Sequence, residues 1–298
     1  MIPISDNKNF PERILLAYFS GTGCTEEVCE CFAEQLSKLN INTAKMNIAA
    51  NNPHDIGETD LLIILSPVYG FRMASITEKW LTQLPIIKNI PAVIISVSGG
   101  GEVSPNTACR VKCKRILKRK GYDIIYEKMI VMPSNFALQA EAGLNLDLIK
   151  VLPLKVNKII QDILSDKKRV SHPKLQDRFF ATVGIGEHLG ARFFGAFIRV
   201  SQECSKCSIC AGNCPQKNIK MVNGIPKFGF RCIWCLKCIY NCPCKALSPK
   251  ILKFSVLKKG FNVNKIIENA KTDCCETENT YDENPLWQGV IDYVRNDD

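Results

Sequence analysis

Apolar and polar positions over the first 166 residues repeat in two periods. Residues 13–19 (RILLAYF), 60–65 (DLLIIL) and 92–97 (AVIISV) are short, nearly continuous apolar runs. Runs of that length rich in branched residues read as strands covered on both faces. Between them the spacing becomes helical. Val28, Phe32, Leu36 and Leu39 share one face of a helix over 26–39, and a second helix is expected over 74–84. Ser104-Pro105 predicts a third helix, with Ser104 as N-cap and Pro105 at the first position, running to Lys120 and stopped by Gly121. Residues 42–48 form a weaker strand and 122–132 a fifth strand. A long amphipathic helix follows over 146–164, where Pro153 is a point of kinking or splitting. Strands alternating with helices imply parallel βαβ units. Five of them under two helical layers make an α/β, doubly wound five-stranded parallel sheet over residues 11–166.

The pattern changes beyond that point. Residues 167–200 start basic and then become rich in Phe and Gly (FFATVGIGEHLGARFFGAFIRV), which reads as a linker with a helical segment. The alternative is a segment that lies on a membrane surface; Glu187, His188 and Arg192 exclude a span. Residues 201–250 are dominated by cysteine, and 251–298 form a tail with one helical stretch, VNKIIENA. No run of apolar residues is long enough to cross a membrane, and the polar start of the chain lacks the features of a signal peptide. A cytoplasmic protein is expected.

Sixteen cysteines in such a chain point to soft-metal ligation rather than disulfides. Residues 204–215 read CSKCSICAGNCP and residues 232–243 read CIWCLKCIYNCP, so C-x2-C-x2-C-x3-C-P occurs twice. Three cysteines at this spacing wrap one iron–sulfur cube, and the fourth, followed by proline, reaches the other cube. Cys204, Cys207, Cys210 and Cys242 are therefore expected around one [4Fe–4S] cluster, and Cys232, Cys235, Cys238 and Cys214 around a second. Two tetrahedral zinc sites are the competing reading. Residues 221–230 read as a hairpin around Asn223-Gly224. Together these features resemble the small α+β bacterial 2×[4Fe–4S] ferredoxin domain, over about residues 198–250. Cys244 is surplus and expected to be buried. Cys109 and Cys113 are expected as unligated thiols, and Cys274-Cys275 has no assigned role.

Strand 1 ends in Ser20-Gly21-Thr22-Gly23-Cys24-Thr25, directly before a helix. Backbone N–H groups and hydroxyls converge there without a lysine, which suits a monophosphate such as that of FMN and not a nucleoside triphosphate. The third strand runs into Pro67, Val68, Tyr69 and Gly70, and the fourth into Ser98, Gly99 and Gly100. Both loops follow the carboxyl ends of parallel strands, where open sheets bind ligands. The arrangement resembles the flavodoxin-like fold, whose phosphate loop reads [ST]-x-T-G-x-T; Cys24 stands where Asn is common. That resemblance implies Tyr69 against the isoalloxazine ring, with Asn135 and Phe136 bordering it. The order of the two parts is similar to the EFR-type fused flavodoxin/ferredoxin family.

The net charge of +10 is concentrated in residues 167–250, with 15 basic and 3 acidic residues. Cluster thiolates offset part of that excess. The run 110–120 (RVKCKRILKRK) holds seven Lys or Arg; it reads as a solvated helix face or a dock for an acidic redox partner protein. Nucleic acid is disfavoured because no aromatic residue interrupts the run. His54, His172 and His188 are isolated, so no catalytic acid or base stands out. Three functions remain open at this point. They are an electron carrier relaying between FMN and two clusters, an FMN-dependent reductase with its own small substrate, and a redox- or iron-responsive binding protein. Nothing in the sequence sets the oligomeric state.

Overall fold

The computed structural model describes residues 11–273 and 285–296, leaving out the side chains of 183–185 and 187–189. Cys274 and Cys275 lie outside the described residues. The N-terminal half contains β1 (Arg13–Tyr18), α1 (Cys24–Ser37), β2 (Asn42–Asn47), β3 (Leu61–Tyr69), β4 (Arg72–Met73) and α2 (Ser75–Gln83). It continues with β5 (Ile90–Ser98), α3 (Val111–Arg119), β6 (Tyr122–Val131) and α4 (Ala142–Leu164). The main strands pair in parallel in the order β2-β1-β3-β5-β6, and the two-residue β4 adds antiparallel to β3. This is the flavodoxin-like doubly wound order. Its direction reverses between β1 and β3, which opens a crevice at their carboxyl ends.

Burial explains why the strand sequences are continuous rather than alternating. Leu16, Ile63, Leu65 and Ile95 pack with Val28 and Phe32 of α1 and with Val156 and Ile159 of α4. Their neighbours Ala17, Leu62, Ile64 and Ile94 face the other way, onto Trp80 and Leu81 of α2 and Leu117 of α3. Each fully buried Leu or Ile contributes about 1.5–3 kcal/mol.

Three local expectations are corrected. Helix α3 does not begin at Ser104-Pro105, which is a cis peptide; a single 3-10 turn covers 106–108 and the helix starts at Val111. Ser104 and Thr107 instead donate their hydroxyls to the carboxylate of Asp177, far along the chain. Helix α4 is one continuous helix with Pro153 inside it and exposed, so its ring meets solvent rather than a packed neighbour. The basic run is only partly a solvated face. Arg110 is 1% exposed; it donates to Ser96 and Glu102 and lies 3.4 Å from the carboxylate of Glu127. Lys114 reaches the same Glu127 at 2.8 Å.

The C-terminal half contains α5 (Leu175–Ala196), β7 (Ile198–Val200), α6 (Ile209–Gly212), β8 (Ile219–Val222), β9 (Ile225–Phe228), α7 (Lys237–Tyr240) and β10 (Leu247–Pro249). Strands β7 and β10 pair antiparallel, and β8–β9 is the expected hairpin, with Asn223 and Gly224 at φ 50° and 76°. Both central residues at positive φ match the twist of the flanking strands. The tail folds back on the sheet unit. Val263 and Ile267 of α8 (Val263–Thr272) pack near Cys24 and Ile149, and Val290 and Ile291 of α9 (Gln288–Arg295) pack on Val131, Leu144 and Leu148. Among the described residues, no helix is long and apolar enough to cross a membrane.

Candidate functional site

The crevice between β1 and β3 is a cavity of about 660 Å³. It brings together most of the loop residues expected from sequence: Ser20, Gly21, Thr22, Cys24 and Thr25 after β1; Pro67, Val68, Tyr69 and Gly70 from β3; and Ser98, Gly99 and Gly100 after β5. Asn135 and Phe136 line it as well. Gly23 does not. It has φ 104°, and a side chain there would collide with Val263 of α8. Its role is to turn the chain into α1. No side chain caps that helix, so its first N–H groups are left for an anion or water. Ser20 Oγ accepts from Gly23 N at 3.1 Å, and Asn135 Nδ2 donates to Thr22 Oγ1 at 2.6 Å.

The walls are neutral. Cys24 and Tyr69 are the titratable groups among the lining residues. Burial pushes the Cys24 thiol up to about 12 and the Tyr69 phenol well above its ordinary value. Both stay protonated near neutral pH. Cys24 points its thiol at the carbonyl of Pro133, 3.6 Å away. Five aromatic side chains border the space: Tyr69, Phe71, Phe136, Trp234 and Trp287. A hydroxyl- and N–H-rich end with a neutral aromatic remainder suits a phosphate carried on a flat heteroaromatic ring.

Trp234 and Trp287 were not among the expected site residues. Trp234 stands inside the second cysteine motif, and an aromatic residue in that position is a signal the sequence does carry. Trp287 arrives with Pro285 and Leu286 from the tail, and α5 contributes Ala191. These contacts are non-local, and no spacing rule announces them.

The cysteine segment lies directly against this cavity. A Cβ on Gly21 would collide with Tyr69 Oη and sit 3.1 Å from both the Cβ and the carbonyl oxygen of Cys235. Tyr240, between Cys238 and Cys242, donates its hydroxyl to the carbonyl of Asn135 at 2.7 Å and accepts from Leu257 N at 2.9 Å. Trp234 meets Phe136 edge-on at 5.3 Å and lies tilted over Phe194 at 5.2 Å.

The eight motif cysteines separate into two sets, each around its own small cavity. Cys204, Cys207, Cys210 and Cys242 line one; Cys214, Cys232, Cys235 and Cys238 line the other. The backbone repeats as the sequence does. Lys206 and Ser208 have φ 58° and 63°, and their counterparts Trp234 and Leu236 have 61° and 60°. Lys217 and Lys245, each three residues past the fourth cysteine, have φ 46° and 49°. None of these is glycine, so six residues hold a left-handed conformation that costs about 1–2 kcal/mol each. Such alternation turns successive N–H groups inward and makes a concavity for negative charge. Two of the inward bonds match across the repeat: Asn218 N donates to Cys214 Sγ and Ala246 N to Cys242 Sγ, both at 3.3 Å. Trp234 N donates to Cys232 Sγ at 3.4 Å.

The two sets differ in exposure. Cys207 is exposed, and hydrogen bonds from Ile209 N and Ser205 lower its thiol. Burial pushes Cys232 up to about 11 and Cys235 up to about 12. Thiolates in that second set require a neighbouring positive centre. Among the described residues, no three or more His, Cys, Asp or Glu side chains converge as around a single metal ion. Of the remaining expectations, Cys109 and Cys113 are buried free thiols, whereas Cys244 is exposed rather than buried. Ile239 is buried among Cys210, Cys232, Cys238 and Cys242, whereas Ile209, which lines the cavity of the Cys204 set, is 40% exposed.

No protein-family model matches the sequence, and neither does any curated protein. Solved structures similar to this chain are flavodoxins. The Megasphaera elsdenii flavodoxin is 20% identical, covering 40% of this chain and 85% of its own, with TM-score 0.35. A short-chain flavodoxin associated with a bacterial microcompartment is 15% identical over 52% of this chain and 99% of its own, with TM-score 0.39. Flavodoxin 1 of Bacillus cereus is 13% identical over 50% of this chain and 97% of its own, with TM-score 0.37.

Proposed function

We propose that this chain is an iron–sulfur flavoprotein electron carrier: FMN in the β1/β3 crevice, and two [4Fe–4S] clusters on the two cysteine sets of a ferredoxin-like segment, as in the EFR-type fusions. FMN exchanges one or two electrons and each cluster exchanges one, so a protein holding both interconverts single-electron and paired transfer. The observation that carries this reading is the seating of Cys235 on Gly21. It sets the backbone of one ligand loop against the loop suited to the phosphate.

The residues have separable roles. The α1 N-terminus, Ser20, Thr22 and Thr25 hold the phosphate. Tyr69, Phe136, Trp234 and Trp287 enclose the ring and keep water from it. Asn135 ties the ring-side loop to the phosphate loop through Thr22. The N–H groups aimed at Cys214, Cys232 and Cys242 stabilise negative charge on sulfur, which raises a cluster's potential. Zinc is disfavoured because eight thiols around two cavities do not gather at single points. A reductase using a protein acid or base is disfavoured because the described wall residues offer two titratable groups, Cys24 and Tyr69, both held neutral by burial.

The contacts support an order for the two sets. The Cys214 set adjoins the flavin crevice; the Cys204 set, with exposed Cys207, faces outward to a redox partner protein. Cys→Ser substitution with iron analysis and photoreduction tests both the grouping and the order. Cys207→Ser and Cys242→Ser remove the same half of the iron, and Cys214→Ser and Cys232→Ser remove the other half. Flavin reduction by an external one-electron donor protein slows in every variant. If Cys242→Ser and Cys214→Ser remove the same cluster, the crossed assignment fails.

A further inference from the structure

A second cavity, of about 1040 Å³, shares Ile233 with the aromatic crevice and reaches Cys232. Among the described residues its lining has seven cationic side chains and one carboxylate, that of Glu78. Arg72 and Lys112 already neutralise Glu78, at 2.9 Å and 2.7 Å. Five cations remain: Lys79 from α2, Arg115 from α3, Arg178 and Arg192 from α5, and Arg231 beside Cys232. All five are exposed, and among the described residues none is in an ion pair. Four separate stretches of chain converge to place them, so this is more than one charged helix face.

The rest of the wall mixes the polar Ser75, Thr182 and Gln216 with apolar side chains. Phe179 and Phe230 are 66% and 61% exposed, and Phe193 holds Phe230 edge-on at 6.1 Å. A large aromatic face left in water beside a ring of guanidinium groups lacks its partner. Arginine forks match phosphate oxygens two at a time, and exposed phenyl faces stack with nucleobases. A concave space of this size also suits a cofactor-sized molecule better than one side chain of a partner.

We propose that this cavity is a binding site for a nucleotide polyphosphate, with the phosphates on Arg115, Arg178, Arg192 and Arg231 and the base against Phe179 or Phe230. The assignment goes beyond the electron-carrier reading and does not depend on it, because none of the four arginines nor Phe179 or Phe230 is among the residues that line the crevice. The helix α5 that carries two of the arginines is pinned through Asp177 to Ser104 and Thr107, so the walls are fixed relative to each other.

Calorimetric titration of the anaerobically purified full-length chain with ATP, tripolyphosphate and hexaglutamate tests it. The site predicts saturable ATP binding at low ionic strength that weakens as salt rises. The double variant Arg178→Glu/Arg192→Glu loses about tenfold or more in affinity, since each charge-assisted bond contributes at least that much. The double variant Phe179→Ala/Phe230→Ala weakens ATP and leaves tripolyphosphate unchanged. Absence of saturable ATP binding, or full affinity in the double variant, overturns the site. Equal affinity for ATP and tripolyphosphate overturns the base contact, and binding of hexaglutamate alone gives the face to an acidic protein. Each readout is heat of binding, so failure here leaves the flavin and iron measurements untouched.

Discussion

Tyr240→Phe removes one oxygen and, with it, two bonds between the cysteine segment and the ring-side loop. The hydroxyl donates to Asn135 O at 2.7 Å and accepts from Leu257 N at 2.9 Å. Each bond contributes about 1 kcal/mol net, and more if a buried partner is left unsatisfied. Asn135 in turn holds Thr22 of the phosphate loop at 2.6 Å. About 2 kcal/mol taken from a loop that must be ordered to bind flavin corresponds to a roughly 30-fold rise in the dissociation constant for FMN. The assay is fluorescence titration of deflavinated, anaerobic protein with FMN, wild type against variant. Iron content is measured alongside, because Tyr240 lies between Cys238 and Cys242, both proposed cluster ligands. The reasoning predicts weaker FMN binding with unchanged iron. A dissociation constant within threefold of wild type would refute it, showing that Phe136 packed on Trp234 fixes the loop without the hydroxyl. Weaker binding together with lost iron would also refute it, since the effect would then run through the cluster.

Further outcomes follow from other contacts. Gly195 faces Cys232 so closely that a side chain would collide with the cysteine Cβ, so Gly195→Val is expected to cost half of the iron; Cys244→Ser, at an exposed position, is expected to cost none. Burial alone would raise the Glu127 carboxyl, but Arg110, Lys114 and Ser171 more than offset that and hold it below its ordinary value. A carboxyl lowered by folding contributes stability that is complete above the unfolded value of about 4.3 and disappears as pH falls through the folded one. Glu127→Gln is therefore expected to destabilise the sheet unit by about 3–5 kcal/mol near neutral pH, read from denaturant midpoints, and to flatten the acid limb. Gly21→Val should weaken FMN binding and loosen the cysteine segment together, since the added atoms would meet Tyr69 and Cys235 at once.

The sheet was legible because its signals are local. Continuous runs such as Leu61–Leu65 have one explanation when helices cover both faces, and three such runs, with two further strands and helical intervals, leave few arrangements. The grouping of the motif cysteines around two small cavities was legible in their repeated spacing. What stayed hidden depends on partners far along the chain. Ser104 looked like a helix cap; its hydroxyl is instead taken by Asp177, and α3 starts later. The run after Arg110 looked solvated, yet Glu127 on the adjoining strand draws Arg110 and Lys114 inward. Trp287 enters the crevice beside α9, which packs on Val131, Leu144 and Leu148, contacts that span about half the chain. Gly23 was taken for a wall of the pocket; Val263 behind it shows that it is the hinge into α1.

The most direct measurement is the cofactor content of the full-length chain purified without oxygen. Iron and acid-labile sulfide of about eight each per chain, with one FMN released on heating, are the predicted result. Zinc in place of iron, no inorganic sulfide, or no flavin retained after reconstitution would contradict it.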